Sequence, residues 1–422
     1  MGHHGVMARV LLLLPTATYR ASDFGDAARA LGAEVVVGTE RKLAISSFTD
    51  ASCLVVDLEH PEAAADAIAT FAERRPLDAI VGVDDQGVLA AAHAARRLRL
   101  PHNDPAAVAA TRNKAVMRRA LHAAGVPQPA YRVASAGCDV VELAHEVGWP
   151  CVLKPVSLAA SRGVIRANDA REAIAASERI RAVLAAADRD PSEPLLIEAY
   201  VPGPEVVVEG LLRGGELEVL AVLDKPDPLE GPFFEETLFI TPSRLAPRTR
   251  GEIERQTAAA TAALGLTEGP IHAELRVGPD GARVLEIAAR SIGGLCSRSL
   301  RFGLGASLEE VILRHALGLS LDHLERERGA SGVMMLPIPR AGVLKEVRGV
   351  DQARAIAGIT EVVVTLGRMR PVQPLPEGDR YLGFMFARAD SPAEVEAALR
   401  AAHARLEVVI EDQRQRDPQP TC

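Results

Sequence analysis

The most chemically informative stretch of the chain is Ile271–Val277, followed by Gly278-Pro279-Asp280-Gly281 and Ala282–Ala288, which reads as a β-hairpin carrying two glutamates. Pro-Asp-Gly is a turn signal, with Gly281 suited to the left-handed position of a three-residue loop. With Pro279, Asp280 and Gly281 as that loop, Gly278 pairs with Ala282 and Glu274 lies directly opposite Glu286. His272 and Ala288 share their face, because strand side chains repeat every two residues. Carboxylates opposed across a sheet repel each other. Such a pair therefore belongs either on a wet surface or around a cation, and Mg²⁺ prefers just such oxygens together with phosphate and water. The apolar Ile271, Leu275, Leu285 and Ile287 fall on the other, core-facing side. Arg290, Gly293 and Gly294 follow at once, and a strand leading into Arg and a Gly-rich turn suits contact with a phosphorylated group.

Three further groups carry potential chemistry. Gly148–Lys154 ends an apolar strand with a lysine, and Ser157–Val164 is then a loop of small residues. Small residues let backbone N–H groups approach phosphate oxygens while Lys154 supplies charge. A single lysine at a strand end is more often simply exposed, and Lys114 alone says less still. Leu195–Glu205 gives a strand, a short acidic linker and a second acid, an arrangement that offers backbone groups to an adenine edge and Glu205 to ribose hydroxyls. Taken alone, it is equally an ordinary strand and a Pro-Gly turn. Asp224-Lys225-Pro226 and Gly231–Thr237 read either as a loop over the site, with Glu235 or Glu236 recognising an amino group, or as a surface hairpin tip. Ser297, Arg298 and Arg301 are candidates to receive a substrate carboxylate.

These residues need elements to position them. From Arg9 to about Asn113, short apolar runs (Val10–Leu14, Glu34–Val37, Cys53–Asp57, Ala79–Val83) alternate with helical stretches (Phe24–Leu31, Pro61–Arg74, Gln86–Leu98), which predicts a parallel α/β module. The residues after the first strand, Pro15-Thr16-Ala17-Thr18, hold no G-x-G-x-x-G, so a dinucleotide site is not supported. Asp84-Asp85-Gln86-Gly87 falls at a strand's C-terminal end, where open α/β sheets place ligands. A helix at about Asn113–Ala124 precedes a smaller unit with strands near Tyr131–Val133, Cys151–Pro155 and Leu195–Ile197 and a helix at about Asp169–Ala187. Strands fill Glu205–Val277, with helices at about Arg250–Leu264 and Ser307–Leu317. From about Gly332 the chain reads as a cap with short strands, a helix near Pro392–Leu406 and no evident catalytic set. The polar tail after Glu411 is expected to fray, and Met1–Gly5 is given no function.

Composition narrows the field. A net charge of −8 and a pI near 5.8 argue against a broad nucleic-acid surface. Aromatic residues are only 3% of the 422, so Leu, Val, Ala and Ile must build the core. Cys53, Cys138, Cys151, Cys296 and Cys422 form neither a C-x-x-C pair nor a disulfide scaffold, which fits a reducing cytoplasm. The apolar run Val10–Leu14 stops at Pro15, far short of the about 20 residues of a membrane span, and lacks the features of a signal peptide.

In order along the chain, Lys114, Lys154-Pro155, the loop to Gly163, Glu198 to Glu205, Glu274 and Glu286–Arg290 resemble an ATP-grasp enzyme, over about Asn113 to Leu319. The Gly269–Glu274 pattern is similar to the branch containing L-amino-acid ligases and related carboxylate–amine ligases. The resemblance implies a multidomain α/β and α+β protein. Residues 1–113 would form an N-terminal parallel α/β substrate-side (preATP-grasp) module, 114–202 the small ATP-grasp lobe, 203–330 the large lobe with the metal site, and 331–422 a C-terminal α+β cap. It implies ATP with Mg²⁺ (or Mn²⁺), phosphates at Lys114, Lys154, Ser161, Arg162 and Gly163, adenine near Glu198, Tyr200 and Val201, ribose at Glu205, and metal at Glu274 and Glu286. Arg290 would hold an acyl phosphate and the oxyanion that follows, and His272 would orient substrate or accept a proton. The family commonly places Asn where this chain has Ala288, which leaves one or two metal ions open, and its phosphate loop is usually richer in Gly. The expected partners are small carboxylates and amines, amino acids above all, with a homodimer plausible for the family. Another ATP-grasp ligation, of the purine-pathway or bicarbonate-activating type, and nucleotide binding without catalysis are the alternatives.

Overall fold

The computed structural model describes residues 7–16, 18–41 and 52–412; Met1–Gly5, Ala17 and the tail beyond Asp412 lie outside the described residues. The first module is β1 (Arg9–Leu13), α1 (Ala21–Ala30), β2 (Glu34–Thr39), β3 (Ser52–Val55), α2 (Pro61–Arg74), β4 (Ala79–Gly82) and α3 (Asp85–Leu98). Its strands pair in parallel in the order β3-β2-β1-β4. Val10 to Leu13 are fully buried, as a parallel strand covered on both faces must be.

The start of α3 comes unusually close to the strand ends. A Cβ added at Gly87 would lie 2.7 Å from the Leu13 carbonyl oxygen, and one at Gly82 2.6 Å from the Val88 Cα. This approach brings Asp84 and Asp85 to the mouth of the sheet. Two short helices follow, α4 (Pro105–Thr111) and α5 (Lys114–Ala123). The Asn113 side chain caps α5 by accepting from the N–H groups of Ala115 and Val116, both at 3.1 Å. Lys114 and Arg118, one turn apart, then share a helix face.

The small lobe is an antiparallel sheet of β5 (Tyr131–Ala134), β6 (Cys151–Pro155), β7 (Ile165–Ala167) and β8 (Leu195–Ala199), in the order β5-β8-β6-β7. It is backed by α6 (Val140–Val147) and α7 (Ala170–Ala186). The main body is an eight-stranded antiparallel sheet. Its strands are β9 (Glu205–Arg213), β10 (Glu216–Lys225), β11 (Leu238–Thr241), β12 (Gly269–Gly278), β13 (Gly281–Ala288), β14 (Ala330–Leu336), β16 (Ile359–Val364) and β18 (Gly383–Ala389), ordered β13-β12-β9-β10-β11-β14-β18-β16. The strands β15 (Gly342–Arg348), β17 (Pro371–Val372) and β19 (Glu407–Glu411) form a separate sheet. The remaining helices are α8 (Pro247–Leu264), α9 (Leu308–Ala316), α10 (Val350–Arg354) and α11 (Pro392–His403), with a 3-10 turn at Cys296–Ser299.

One face of the large sheet is apolar. Val206, Val208, Leu212, Ile271, Ala273 and Leu275 pack there on Ile253, Ala260 and Leu264 of α8 and on Met117 and Leu121 of α5. The other face meets the first module through Val207, Leu211, Leu223 and Phe239. The cap is less separate than its sequence suggests, because β14, β16 and β18 continue the large sheet. The short helices α4 and α6 escape the sequence reading; α6 and α4 are too brief to show much periodicity.

The hairpin corrects two details. Gly278 pairs with Gly281 across a two-residue turn rather than with Ala282, and a bulge follows, so that Leu275 pairs with Val284 and Glu274 with Glu286. The bulge restores the predicted opposition of the two acids and turns Leu285 into the cleft instead of the core, with Val284 buried in its stead.

Gly87→Ala should lower stability by about 1–3 kcal/mol, the usual cost of overpacking a tight contact. A urea midpoint equal to wild type would contradict the packing described here.

Candidate active site

The cleft-facing side of β9 and its neighbours carries charge at successive in-register positions. Glu205 lies opposite Lys225 of β10 on one side and Arg276 of β12 on the other, and Glu209 lies opposite His272. The pairs close as hydrogen-bonded ion pairs. Lys225 donates to Glu205 Oε1 at 2.6 Å and to Glu236, and stands 3.4 Å from Glu274. Arg276 donates through Nε to Glu205 Oε2 at 2.8 Å, and through its other nitrogens to the carbonyls of Val201 (2.9 Å) and Leu229. His272 Nδ1 lies 2.5 Å from Glu209, whose other oxygen accepts the Ile292 N–H at 2.9 Å.

Burial works against the charges of Lys225, Glu236, His272 and Glu274, so their state depends on the partner. Burial disfavours the Lys225 ammonium, yet Glu205, Glu236 and Glu274 raise its proton affinity well above normal. Burial alone would raise Glu274; Lys225 and His272 instead hold it well below the carboxylate range. Burial raises Glu236 in spite of Lys225. Burial disfavours the His272 cation, but Glu209 reverses this and lifts it to about 9. In this cluster four acids (Glu205, Glu209, Glu236, Glu274) thus face three cations (Lys225, Arg276, His272).

A second network lines the small-lobe side. Glu198 is fully shared, accepting from Arg118 Nε at 2.5 Å and lying 2.5 Å from Lys154 Nζ. Lys114 donates to the Leu158 carbonyl at 2.7 Å, which ties α5 to the small-residue loop, and stands 3.3 Å from Glu286. In that loop Ala160 and Ser161 have φ of 56° and 55°, so non-glycine residues hold a left-handed backbone that glycine adopts most readily. Tyr200 lies between two guanidiniums, Arg166 at 4.3 Å and Arg276 at 5.1 Å from its ring centre.

Arg290 reaches across to the first module and donates to Asp85 at 2.8 Å. Burial opposes ionisation of Asp85, but Arg290 more than offsets it and holds the carboxyl at about 2. Beyond Arg290 the cleft ends in an apolar pocket of Tyr19, Phe239, Cys296, Met335, Tyr381 and Phe384. Tyr19 meets Phe384 edge-on at 5.6 Å.

Lys114, Lys154, Ser161, Glu198, Tyr200, Val201, Glu205, His272, Glu274, Glu286 and Arg290 therefore line one cleft. Arg162 and Gly163 do not line it; the Gly163 N–H donates to the Pro376 carbonyl at 3.0 Å. Both oxygens of Glu205 and of Glu198 are already engaged, so Glu205 can accept from a ribose only by sharing them. Both His272 nitrogens face glutamates, Nε2 at 3.5 Å from Glu274, which suits an orienting role; accepting the amine's proton would require one to be released. Glu274 and Glu286 are in register but hold different cations. Among the described residues, the acids whose oxygens lie within 4.8 Å of one another are Glu205, Glu236 and Glu274. This all-carboxylate donor set fits a hard divalent cation, with Lys225 at its centre as the group such an ion would compete with.

Ser297, Arg298 and Arg301 do not line the cleft: Ser297 is buried, and Arg298 pairs with Asp23 and Glu361 at 2.8 and 2.9 Å. Of the two loop acids, Glu236 lines the cleft and Glu235 does not. Sequence reasoning missed Arg118, Glu209 and Arg276; it placed Asp85 at a ligand-bearing strand end but gave it no role. Two had a signal: Arg118 is one turn from Lys114, and Glu209 lies four residues from Glu205 on an otherwise apolar strand. It also missed Asp379, Arg380 and Tyr381, which the cap contributes to the cleft.

The chain is similar to known proteins. Residues 147–299 match the ATP-grasp domain family, residues 25–102 the ATP-grasp N-terminal domain, and residues 334–411 the L-amino acid ligase C-terminal domain 2. An uncharacterized protein of Sinorhizobium fredii is 30% identical over 77% of this chain and 70% of its own length. Alanine–anticapsin ligase of Bacillus amyloliquefaciens is 25% identical over 61% of each chain, so the match spans less than two thirds of that enzyme. The crystal structure of an L-amino acid ligase from Bacillus licheniformis superposes with a TM-score of 0.79 over 96% of this chain and 99% of that one. At 24% identity, that likeness is one of fold.

Two outcomes follow from the buried pairs. Arg118→Ala leaves Glu198 short of a partner and should cost about 3–5 kcal/mol, seen as a lowered urea midpoint; a change under about 1 kcal/mol would contradict the pairing. The Asp85 carboxyl is depressed on folding, so its contribution is full above about pH 4 and fades as pH falls toward 2. Wild type should exceed Asp85→Asn by about 2 kcal/mol at pH 7, and the gap should narrow below pH 4. A gap that is constant with pH would refute the Asp85–Arg290 assignment.

Proposed function

Because the chain belongs to the ATP-grasp family, in its L-amino-acid-ligase-like branch, we propose that it joins a carboxylate to an amine through an acyl phosphate, releasing ADP and phosphate. The observation that carries this reading is the cleft in which Lys114, Lys154, Glu274, Glu286 and Arg290 converge and which also holds an apolar pocket. A carboxylate resists amines because its leaving group is poor and its charge repels nucleophiles. Phosphorylation by ATP converts it into an electrophile, and the protein's part is largely positioning and charge compensation.

In this reading Tyr200, Val201 and Leu285 bound the adenine end, and Glu205 reaches the ribose. Lys114, Lys154 and the Ala159–Ser161 backbone face the phosphates. Bound magnesium or manganese would supply positive charge at the transferring group, and Glu274 and Glu286 are the residues that would hold it, with Glu205 and Glu236 close by. Arg290, fixed by Asp85, presents its planar donors to the acyl phosphate and then to the oxyanion formed on amine attack. His272, held by Glu209, orients the wall that carries Glu274. Glu236, at the boundary between charged cleft and apolar pocket, is placed for a substrate ammonium. Amino acids are the substrate class this favours. We divide the work among residues 1–113, 114–202, 203–330 and 331–422, the last supplying Tyr381 and Phe384. No described helix is long and apolar enough to cross a membrane, and a cytoplasmic setting is part of the proposal.

Incubation of the chain with ATP, Mg²⁺ and amino-acid pairs should release ADP and phosphate. Glu286→Gln should lower that rate about 100-fold or more with the circular dichroism spectrum unchanged. ADP release only with bicarbonate and biotin would move the protein to carboxylase chemistry, and full activity in Glu286→Gln would sink the metal assignment.

A further inference from the structure

Beyond the 3-10 turn that begins at the cleft with Cys296, the chain builds a second cavity of about 310 Å³. Ser299, Arg301, Arg326, Glu327, Ser331 and Arg388 line it. The backbone fixes where its arginines sit. The Glu327 N–H donates to the Arg301 carbonyl at 2.9 Å, Phe302 bridges to Arg326, and Arg388 stands opposite Ser331 in the β14–β18 pair. Three guanidiniums from three separate segments are thereby brought to one hollow.

Their charges are poorly matched. Arg388 has Glu327 at 3.1 Å. Arg301 donates only to the carbonyls of Arg298 and Leu300, at 3.2 and 2.8 Å, and Arg326 only to that of Gly329, at 3.2 Å. Among the described residues neither has a carboxylate within ion-pair distance. With Arg328 and Asp390 at the rim, four arginines face two acids. Burial lowers the proton affinity of both Arg301 and Arg326, and the neighbouring charge of Arg388 lowers it further; at Arg301 this outweighs the attraction of Glu309, Asp23 and Glu327, none of them within ion-pair distance. Partly buried charges without a directly paired counterion are costly. Each guanidinium keeps several unused N–H donors, in a planar fork that matches the oxygens of a phosphate or carboxylate. A solvated basic patch would not need three half-buried arginines locked by backbone pairing around a hollow.

We infer that this cavity is a binding site for a small polyanion bearing phosphate or carboxylate groups, held by Arg301, Arg326 and Arg388 and separate from the ligase cleft. The occupant is a multi-oxygen dianion small enough for the hollow, and its charge offsets the surplus of the arginine set. The inference stands on its own residues and does not depend on the reaction proposed above.

Isothermal titration of the full chain with inorganic phosphate, and separately with succinate, tests it. Saturable binding of at least one anion is expected. Arg301→Gln and Arg326→Gln should each weaken it about tenfold or more, the scale of a lost charge-assisted hydrogen bond. Lys114→Gln, in the cleft, should leave this binding unchanged. The anion that binds more tightly identifies phosphate or carboxylate as the natural chemistry. Should a glutamine variant fail to fold, Arg326→Lys keeps the charge but not the fork and should still weaken binding. No saturable binding of either anion, or binding that survives the arginine changes and is lost in Lys114→Gln, would overturn the assignment.

Discussion

The cross-strand charge register of β9 constrains the rest of the structure. Glu205 is bracketed by Lys225 and Arg276, and Glu209 is paired with His272, all on a buried sheet face. A slip of one residue would send these groups into the packing of α8 and bring Val206 and Val208 to the cleft. Breaking such a buried pair strands the remaining charge at several kcal/mol. Register is therefore specified twice, by apolar contacts on one face and by ion pairs on the other. The acids of this face outnumber its cations by one, and the oxygens of Glu205, Glu236 and Glu274 lie within 4.8 Å of one another.

The site is assembled from distant parts of the chain. Arg20 is fully buried, donating to Ser291, Glu309 and the Val83 carbonyl at 2.9, 3.0 and 3.2 Å, and so bolts the first module to α9 and to the loop after Arg290. Asp85 fixes Arg290 from the same side. The cap closes the apolar end with Tyr381 and Phe384. Gly294 shows how close that closure is, because a Cβ there would lie 2.8 Å from the Phe384 ring. The cleft thus exists only when all modules are docked, which fits chemistry that must exclude water from an activated intermediate.

Much of this was legible in the sequence, though not always for the right reason. Glu274 does oppose Glu286, but through a two-residue turn followed by a bulge, two departures that cancel in register. Period-two counting cannot see a bulge, and so it sent Leu285 to the core. Lys154, Glu198 and Glu205 could be picked out because each ends or begins an apolar strand, whereas Lys114 stood out only through its place in the order of the family resemblance. Lys225 was noticed only as part of an overhanging loop, since its role depends on acids from three other segments. Arg298 and Arg301, chosen for proximity to glycines, point elsewhere because the 3-10 turn carries the chain away from the cleft. The cap was read as inert because its contribution arises from strands joining a sheet begun over a hundred residues earlier, a contact no local pattern encodes.

The fate of a carboxylate oxygen tests the acyl-phosphate assignment most directly. With a substrate acid labelled with oxygen-18 in its carboxylate, turnover in the presence of ATP and the amine should place one labelled oxygen in the released inorganic phosphate. Phosphate free of label during amide formation, or formation of AMP and pyrophosphate in its place, would contradict it.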